Sequence, residues 1–302
     1  ITNTGDIYDW GEGSQAAVTG PNTGNLSSPV LIRGGAGSGG WSALSGGGGN
    51  HWAAIKDGKL YTCGSSGQGE GGHGDTASRS SPVQVGSLTN WASVHSSDRA
   101  HFAINTDGEM FSWGYNSYGR LALGDTTNRS SPVQVGSLTN WLTVNFSGYS
   151  PAALKTDGTL WAWGLGSTGS NGQGNTTSYS SPVQVGSATN WTKVRGNAFT
   201  LMAINSDNEL WVCGGNSDGE LGDGSTTNRS SLVQISGSWL DLNCIQNATT
   251  GIKTDGTLWT WGQNYDGALA AASSSPVQVG SLTSWIGCAG VGGIGNSFYY
   301  LR

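Results

Sequence analysis

Charge is scarce in this chain. Thirteen Lys and Arg stand against 19 Asp and Glu in 302 residues, 11% in all, for a net charge of -6. There is no run of Lys or Arg. That excludes the clustered basic footprint a phosphate backbone requires, so no nucleic-acid partner is expected. No apolar stretch approaches the roughly 20 residues that span a bilayer, so no membrane insertion is expected. Four Cys do not make a disulfide framework in a chain this long, and none has the CxxC spacing a zinc site favours. The four histidines, His51, His73, His95 and His101, have no matched Ser or Cys motif nearby, and a lone loop His is expected to be solvated. No GxxxxGK[ST] loop occurs. These absences leave no catalytic residue, no metal ligand and no cofactor to assign. The chain opens on Ile1 in place of Met, as a processed form or a piece of something longer would.

Gly, at 52, and Trp, at 14, are abundant. Disorder needs few aromatics and high net charge, and neither holds. The Trp residues are periodic. Trp41, Trp91, Trp141 and Trp191 are spaced by 50, and Trp239 and Trp285 follow at 48 and 46. Residues 80–91 read SSPVQVGSLTNW, as do 130–141; 180–191 and 274–285 each change one residue, and Leu232 replaces the Pro in the copy ending at Trp239. A period of this size is the signature of a repeat architecture.

Each unit runs from a Trp-x-x-Val strand through a variable loop to an Ala-Ile strand, then an Asp-Gly turn, an aromatic strand, a Gly-rich loop and a Pro-Val-Gln-Val strand. That is four short strands. Asp57-Gly58, Asp107-Gly108, Asp157-Gly158 and Asp255-Gly256 supply the positive-φ residues of tight hairpins, with Asp207-Asn208 as substitute. In Leu160-Trp161-Ala162-Trp163, period-two alternation puts both indoles on one face and the smaller residues on the other. A sheet that is bulky on one side and small on the other packs against a copy of itself, and radial copies bury both faces. The expected fold is therefore all-β, a single closed β-propeller over residues 1–302. Trp10, Trp113, Trp161, Trp163, Trp211, Trp259 and Trp261 are its expected structural core. Cys63 and Cys213 fall where other repeats carry Trp and read as small core thiols, while Cys244 and Cys288 lie at or beside a Val position.

The repeats span 41–90, 91–140, 141–190, 191–238 and 239–284. Asn3 to Gly11 aligns with Thr156 to Gly164, and the segment after Trp285 stops where the second strand ends. A closing blade is thus expected from residues 285–302 plus 1–40, making about six blades.

The unit resembles the regulator of chromosome condensation repeat. The likeness rests on Thr156-Asp157-Gly158-Thr159-Leu160-Trp161, on Gly219-Glu220-Leu221-Gly222-Asp223-Gly224 and on Ser181-Pro182-Val183-Gln184-Val185, and covers nearly the whole chain. It implies a propeller, usually of seven blades in the best-known member. The family includes GTPase exchange factors, adaptor domains and secreted inhibitors of β-lactamases. The inserted β-wedge and basic surface of the exchange factor have no counterpart here. The regular SPVQVGSLTNW style is similar to bacterial surface and phage proteins, which implies an extracellular, cell-surface or virion location.

Antiparallel connectivity sorts the loops onto two faces. The Asp-Gly turns and Gly-Ser-Leu-Thr-Asn connectors share one and vary little. Loops after the first and third strands share the other, and there the repeats diverge. A specific partner must read differences between blades, which makes Asp98, Arg99, Tyr149, Arg195 and Phe199 the expected partner-binding residues, Tyr and Arg being favoured interface anchors. A protein partner is expected, other subunits of a larger assembly included, with a glycan as the alternative.

Overall fold

The computed structural model describes residues 1–2, 4–11, 26–31, 40–47, 50–145, 148–197, 199–245, 247–263, 272–290 and 298–301. The side chains of Trp10 and Cys288 lie outside what is described. Regular structure among the described residues is β throughout, apart from one 3-10 turn at Ser117–Gly119. Two compact units divide the chain, residues 1–143 and 144–302.

In the first unit, β1 (Tyr8–Gly11) pairs with β2 (Leu26–Leu31) as a two-stranded sheet. Blade one follows with β3 (Trp41–Gly47), β4 (His51–Lys56), β5 (Lys59–Gly64) and β6 (Arg79–Gln84). Blade two has β7 (Trp91–Ser96), β8 (Ala100–Asn105), β9 (Met110–Gly114) and β10 (Arg129–Gln134). Blade three starts at β11 (Trp141–Asn145) and continues in the second unit with β12 (Ala152–Lys155), β13 (Leu160–Gly164) and β14 (Tyr179–Gln184). Blade four is β15 (Trp191–Gly196), β16 (Thr200–Asn205), β17 (Leu210–Gly214) and β18 (Arg229–Ile235). Blade five is β19 (Trp239–Ile245), β20 (Ala248–Lys253), β21 (Leu258–Gly262) and β22 (Ser273–Gln278). Last comes the pair β23 (Gly287–Gly290) and β24 (Phe298–Leu301).

Each of the five four-stranded sheets keeps its strands in chain order, the arrangement that short hairpin connections dictate. The sheets β1–β2 and β23–β24 have two strands each.

The central hairpin comes in two forms. At Asp57 and Gly58 both φ angles are positive, +49° and +71°, and Lys56 pairs directly with Lys59, as in a two-residue type I′ turn. In blades two, three and five the Gly alone is positive, at +75° to +78°, and the turn is one residue longer. The shorter turn advances the facing residues of blade one by one position, so His51 stands opposite Gly64 whereas Ala100 stands opposite Gly114.

Packing follows the bulky-against-small alternation. In the first unit, Ala53, Ile55, Leu60 and Val85 of blade one meet Trp91, Val94, Ala103 and Trp113 of blade two. Between blades three and four, Ala152, Leu154, Leu160 and Ala162 meet Trp191, Val194, Leu201 and Cys213. Between blades four and five, Met202, Ile204, Leu210 and Val212 meet Trp239, Leu242, Cys244 and Trp261. Backbone bonds fasten the same seams: Gly74 N, Gly174 N and Gly224 N donate to Ser130 O, Ser230 O and Ser274 O at 2.7, 2.7 and 2.8 Å.

Trp113, Trp163 and Trp261 are completely buried. Burying an indole of this kind contributes roughly 4–6 kcal/mol gross. Two of them find N–H partners in the preceding blade: Trp113 Nε1 donates to Glu70 O at 2.8 Å and Trp261 Nε1 to Glu220 O at 2.9 Å. Trp161, Trp211 and Trp259 are half-buried. Lys155 Nζ lies 3.5 Å from the Trp161 ring centroid and Lys253 Nζ 3.6 Å from that of Trp259, so these indoles cover cations. Cys63, Cys213 and Cys244 are buried, and desolvation pushes the Cys213 thiol up to about 12.

Candidate partner-binding loops

One backbone position recurs at the entrance to the second strand of each of the five four-stranded sheets. It is held by the Gly that ends the third strand. The residue after that Gly donates its N–H back across the sheet: Ser65 N to Asn50 O (3.0 Å), Tyr115 N to Arg99 O (2.8 Å), Leu165 N to Tyr149 O (2.9 Å), Gly215 N to Phe199 O (2.9 Å) and Gln263 N to Asn247 O (2.8 Å). A Cβ on Gly64, Gly114, Gly164, Gly214 or Gly262 would lie 2.2 to 2.5 Å from the same carbonyl oxygen, so the third strand must end in Gly for the loop to seat. Five equivalent carbonyls are thus pinned, and five different contexts carry the side chains Asn, Arg, Tyr, Phe and Asn.

Three of the five residues expected to bind a partner, Arg99, Tyr149 and Phe199, occupy this display position. Asn50 and Asn247 complete the series. Sequence reasoning passed over them because their loops offered no aromatic or charged residue; the Gly 14 or 15 residues downstream was the available signal.

In the second unit the Tyr149 and Phe199 rings lie 6.1 Å apart, tilted by 31°. Phe199 stays 41% exposed although its backbone is fixed: Asn197 Oδ1 accepts its N–H at 2.9 Å, and Thr168 Oγ1 donates to its carbonyl at 3.1 Å. Arg195 lies four residues upstream on β15, where its Nη2 is 3.9 Å from Asp241 Oδ1 and Lys193 Nζ is 3.5 Å from the same oxygen. The two cations therefore share one carboxylate on the neighbouring strand β19.

In the first unit Asp98 and Arg99 form an exposed ion pair, Arg99 Nε to Asp98 Oδ2 at 3.7 Å. Such a pair contributes little to stability, which leaves both charges open to a partner. Their loop is closed by Ser97 N donating to Ala100 O at 3.0 Å.

Behind that loop lies a group the sequence did not foretell. His51 and His101 are not solvated; they are 4% and 0% exposed. The one-residue shift of register turns them to opposite faces of adjacent blades, so they meet in the seam, rings 4.6 Å apart and edge-on, with His101 stacked on Trp113 at 5.1 Å. Desolvation holds His51 below the ordinary histidine range and His101 well below it.

Their tautomers follow from their neighbours. His51 Nε2 is 2.9 Å from Asp98 O, which only accepts, so Nε2 carries the proton. Ser96 Oγ donates to Ser45 O at 3.0 Å, so its contact with His101 Nδ1 at 2.7 Å runs from Nδ1–H to the hydroxyl. That direction matters chemically. A Ser–His pair in which the imidazole donates to the hydroxyl does not activate it as a nucleophile.

Elsewhere the acidic loops are occupied by their own chain. Asp223 Oδ2 accepts from Arg229 Nε at 2.7 Å and Asp223 Oδ1 from Ser225 N at 3.0 Å. Asp75–Arg79 and Asp125–Arg129 repeat the pairing at 2.8 and 2.6 Å. Among the described residues no group of three or more His, Cys, Asp or Glu is placed to hold a metal ion.

The family model for the Regulator of chromosome condensation (RCC1) repeat matches residues 57–104 and 107–154. Among solved structures, yeast RCC1 (Prp20) crystallised with Kap60 superposes with a TM-score of 0.80 at 15% identity, over 99% of this chain and 76% of that one. Human WBSCR16 gives 0.78 at 16% identity, over 96% and 79%. Prp20p from Saccharomyces cerevisiae, whose binding to Gsp1p and histones was characterised with its structure, gives 0.53 at 14% identity, over 99% and 91%. The fold shared with these proteins is the β-propeller.

Proposed function

We propose that this chain, which carries regulator of chromosome condensation repeats, is a non-catalytic protein-binding propeller that reads its partner with the side chains at the display position. The observation that carries this reading is the set of five equivalent carbonyl anchors presenting unlike side chains, with Arg99, Tyr149 and Phe199 among them. Tyr and Arg are enriched where interfaces concentrate their binding energy, and a rigid backbone lowers the entropic cost of using them. The similar yeast propeller was crystallised with a protein, Kap60, which supports a protein as the class of partner.

The test is affinity capture with the tagged chain, identification of the captured protein, and titration of that purified protein against Arg99→Ala, Tyr149→Ala and Phe199→Ala. A central anchor weakens binding by roughly 30-fold or more when truncated, about 2 kcal/mol. Three folded variants that all bind as tightly as the parent would remove the display position from the interface. Binding to a glycan array that survives in the absence of any captured protein would turn the assignment to a lectin.

A further inference from the structure

We propose that the His51–His101 pair is a proton-operated latch on the Ser97–Arg99 loop, which holds the loop to β4 when neutral and releases it when one proton is taken up. The geometry sets both states. In the neutral state, His51 Nε2–H on β4 reaches across the seam to Asp98 O in the loop of blade two. His51 Nδ1 and His101 Nε2 are then bare lone pairs, buried and without a hydrogen-bond partner among the described residues. A neutral imidazole tolerates such a site. An imidazolium does not, because the added proton makes a buried donor with no acceptor and a charge out of water.

His51 takes the first proton. The charged groups facing it are the Glu70 carboxylate from the loop after β5, the Asp98 carboxylate and the Arg99 guanidinium. Two anions against one cation favour His51 as the site. His101 on β8 faces His51 alone, at the bottom of the seam, and cannot take a second proton beside a charged ring. Once protonated, His51 is relieved by turning toward solvent, the side on which Asp98 and Arg99 already lie exposed. Turning out breaks its bond to Asp98 O and frees the loop that carries the Arg99 display position. Only the consequence for a partner rests on the reading given above; the latch itself is a property of the free chain.

Proton linkage sets the size of the effect. With a pKa near 6.5 in the open state and a lower one in the closed state, where burial disfavours the charged ring, opening becomes more favourable as pH falls, by at most roughly 30-fold between pH 7.5 and pH 5. Amide exchange on the free, full chain reads it: the protection factor of Ser97, whose N–H is tied to Ala100 O, should fall severalfold, by up to about 30-fold, over that range relative to amides of β16, which carries no histidine. His51→Gln keeps a donor for Asp98 O but does not titrate, and should abolish the change. His101→Leu, the residue blade four carries at the matching place, removes a ring that stays neutral throughout and should leave the pH-dependent fall in Ser97 protection in place. The proposal is overturned if Ser97 protection is constant between pH 7.5 and 5, or falls equally in His51→Gln. Should that variant not fold, ring NMR of the parent decides, since a His51 that titrates with an ordinary midpoint near 6.5 while Ser97 stays protected refutes the latch. None of these readouts involves a partner, so they can fail without touching the binding assignment.

Discussion

Substituting Gly158 by Asn should destabilise the chain, while the reverse substitution at the matching position of blade four, Asn208→Gly, should leave it nearly unchanged. The reason lies in the connector that follows the fourth strand. A Cβ at Gly158 would lie 2.1 Å from Thr189 O and 2.7 Å from Thr189 C, and the same clash recurs at Gly58 with Thr89, Gly108 with Thr139 and Gly256 with Thr283. In blade four, Asn208 occupies the turn at φ +62°. Its connector, Ser236-Gly237-Ser238, is two residues shorter and has no such Thr. The function of the turn is kept, because Trp239 N donates to Asn208 O at 2.8 Å as Trp191 N donates to Gly158 O at 3.1 Å. Turn residue and connector length have changed together.

Asn separates the two costs a side chain would bring. It tolerates the left-handed region better than other non-Gly residues, so backbone strain is small and the loss measures the displaced Thr189. Moving a backbone carbonyl by an ångström or more, with the bond that starts β15, costs about 2–4 kcal/mol. In calorimetry that lowers the midpoint by about 4–8 °C for a chain of this size. Asn208→Gly should stay within about 1 kcal/mol, the cost of added freedom in the unfolded chain. Removing Ala188 and Thr189 together with Gly158→Asn should restore most of the loss. A Gly158→Asn midpoint within 1 °C of the parent, or an equal loss at Asn208→Gly, would refute the coupling.

Two further outcomes follow from the core and the loops. Because burial pushes the Cys213 thiol up to about 12, iodoacetamide at pH 8 should leave it unmodified in the native chain and label it in urea; native labelling detected by mass spectrometry would contradict the packing between blades three and four. For Asp223, burial alone would raise the carboxyl, but hydrogen bonds from Ser225 and Arg229 outweigh it and hold the group below the ordinary range. A depressed carboxyl stabilises the fold above its unfolded value and ceases to do so as pH falls through the folded one. Asp223→Asn should therefore cost about 1–3 kcal/mol in urea unfolding at pH 7, with a smaller gap at pH 3, and a gap that widens in acid would reverse the assignment.

The strand order was legible because each signal is local: Asp-Gly at the hairpin, alternation along Leu160 to Trp163, and Trp at a fixed interval. The seams were legible for the same reason, since the small face of one sequence unit must meet the bulky face of the next. Of the expected site, Arg99, Tyr149 and Phe199 prove to be one structural position, which the sequence located through their divergence without showing that they are equivalent. His51 and His101 escaped for a physical reason. Counting by 50 makes them the same repeat position, yet the two-residue turn at Asp57-Gly58 shifts blade one by a residue and places them on opposite faces. Burial here depends on which face meets the neighbouring blade, and a one-residue difference in a turn decides that.

The anchoring of the display position also explains why function can diverge on so regular a scaffold. Its fold-defining contacts are made by a carbonyl, which every residue has, so exchanging Arg99 for Tyr or Phe leaves the bond from Tyr115 N intact. The constraint is transferred to the partner glycine: Gly114, Gly164 and Gly214 cannot carry a Cβ without meeting that carbonyl at 2.2 to 2.5 Å. One residue of each pair is held fixed by sterics so that the other is free to vary. The regularity that makes the repeat visible and the variation among Asn50, Arg99, Tyr149, Phe199 and Asn247 are thus two sides of one backbone contact, made once in each of the five four-stranded sheets.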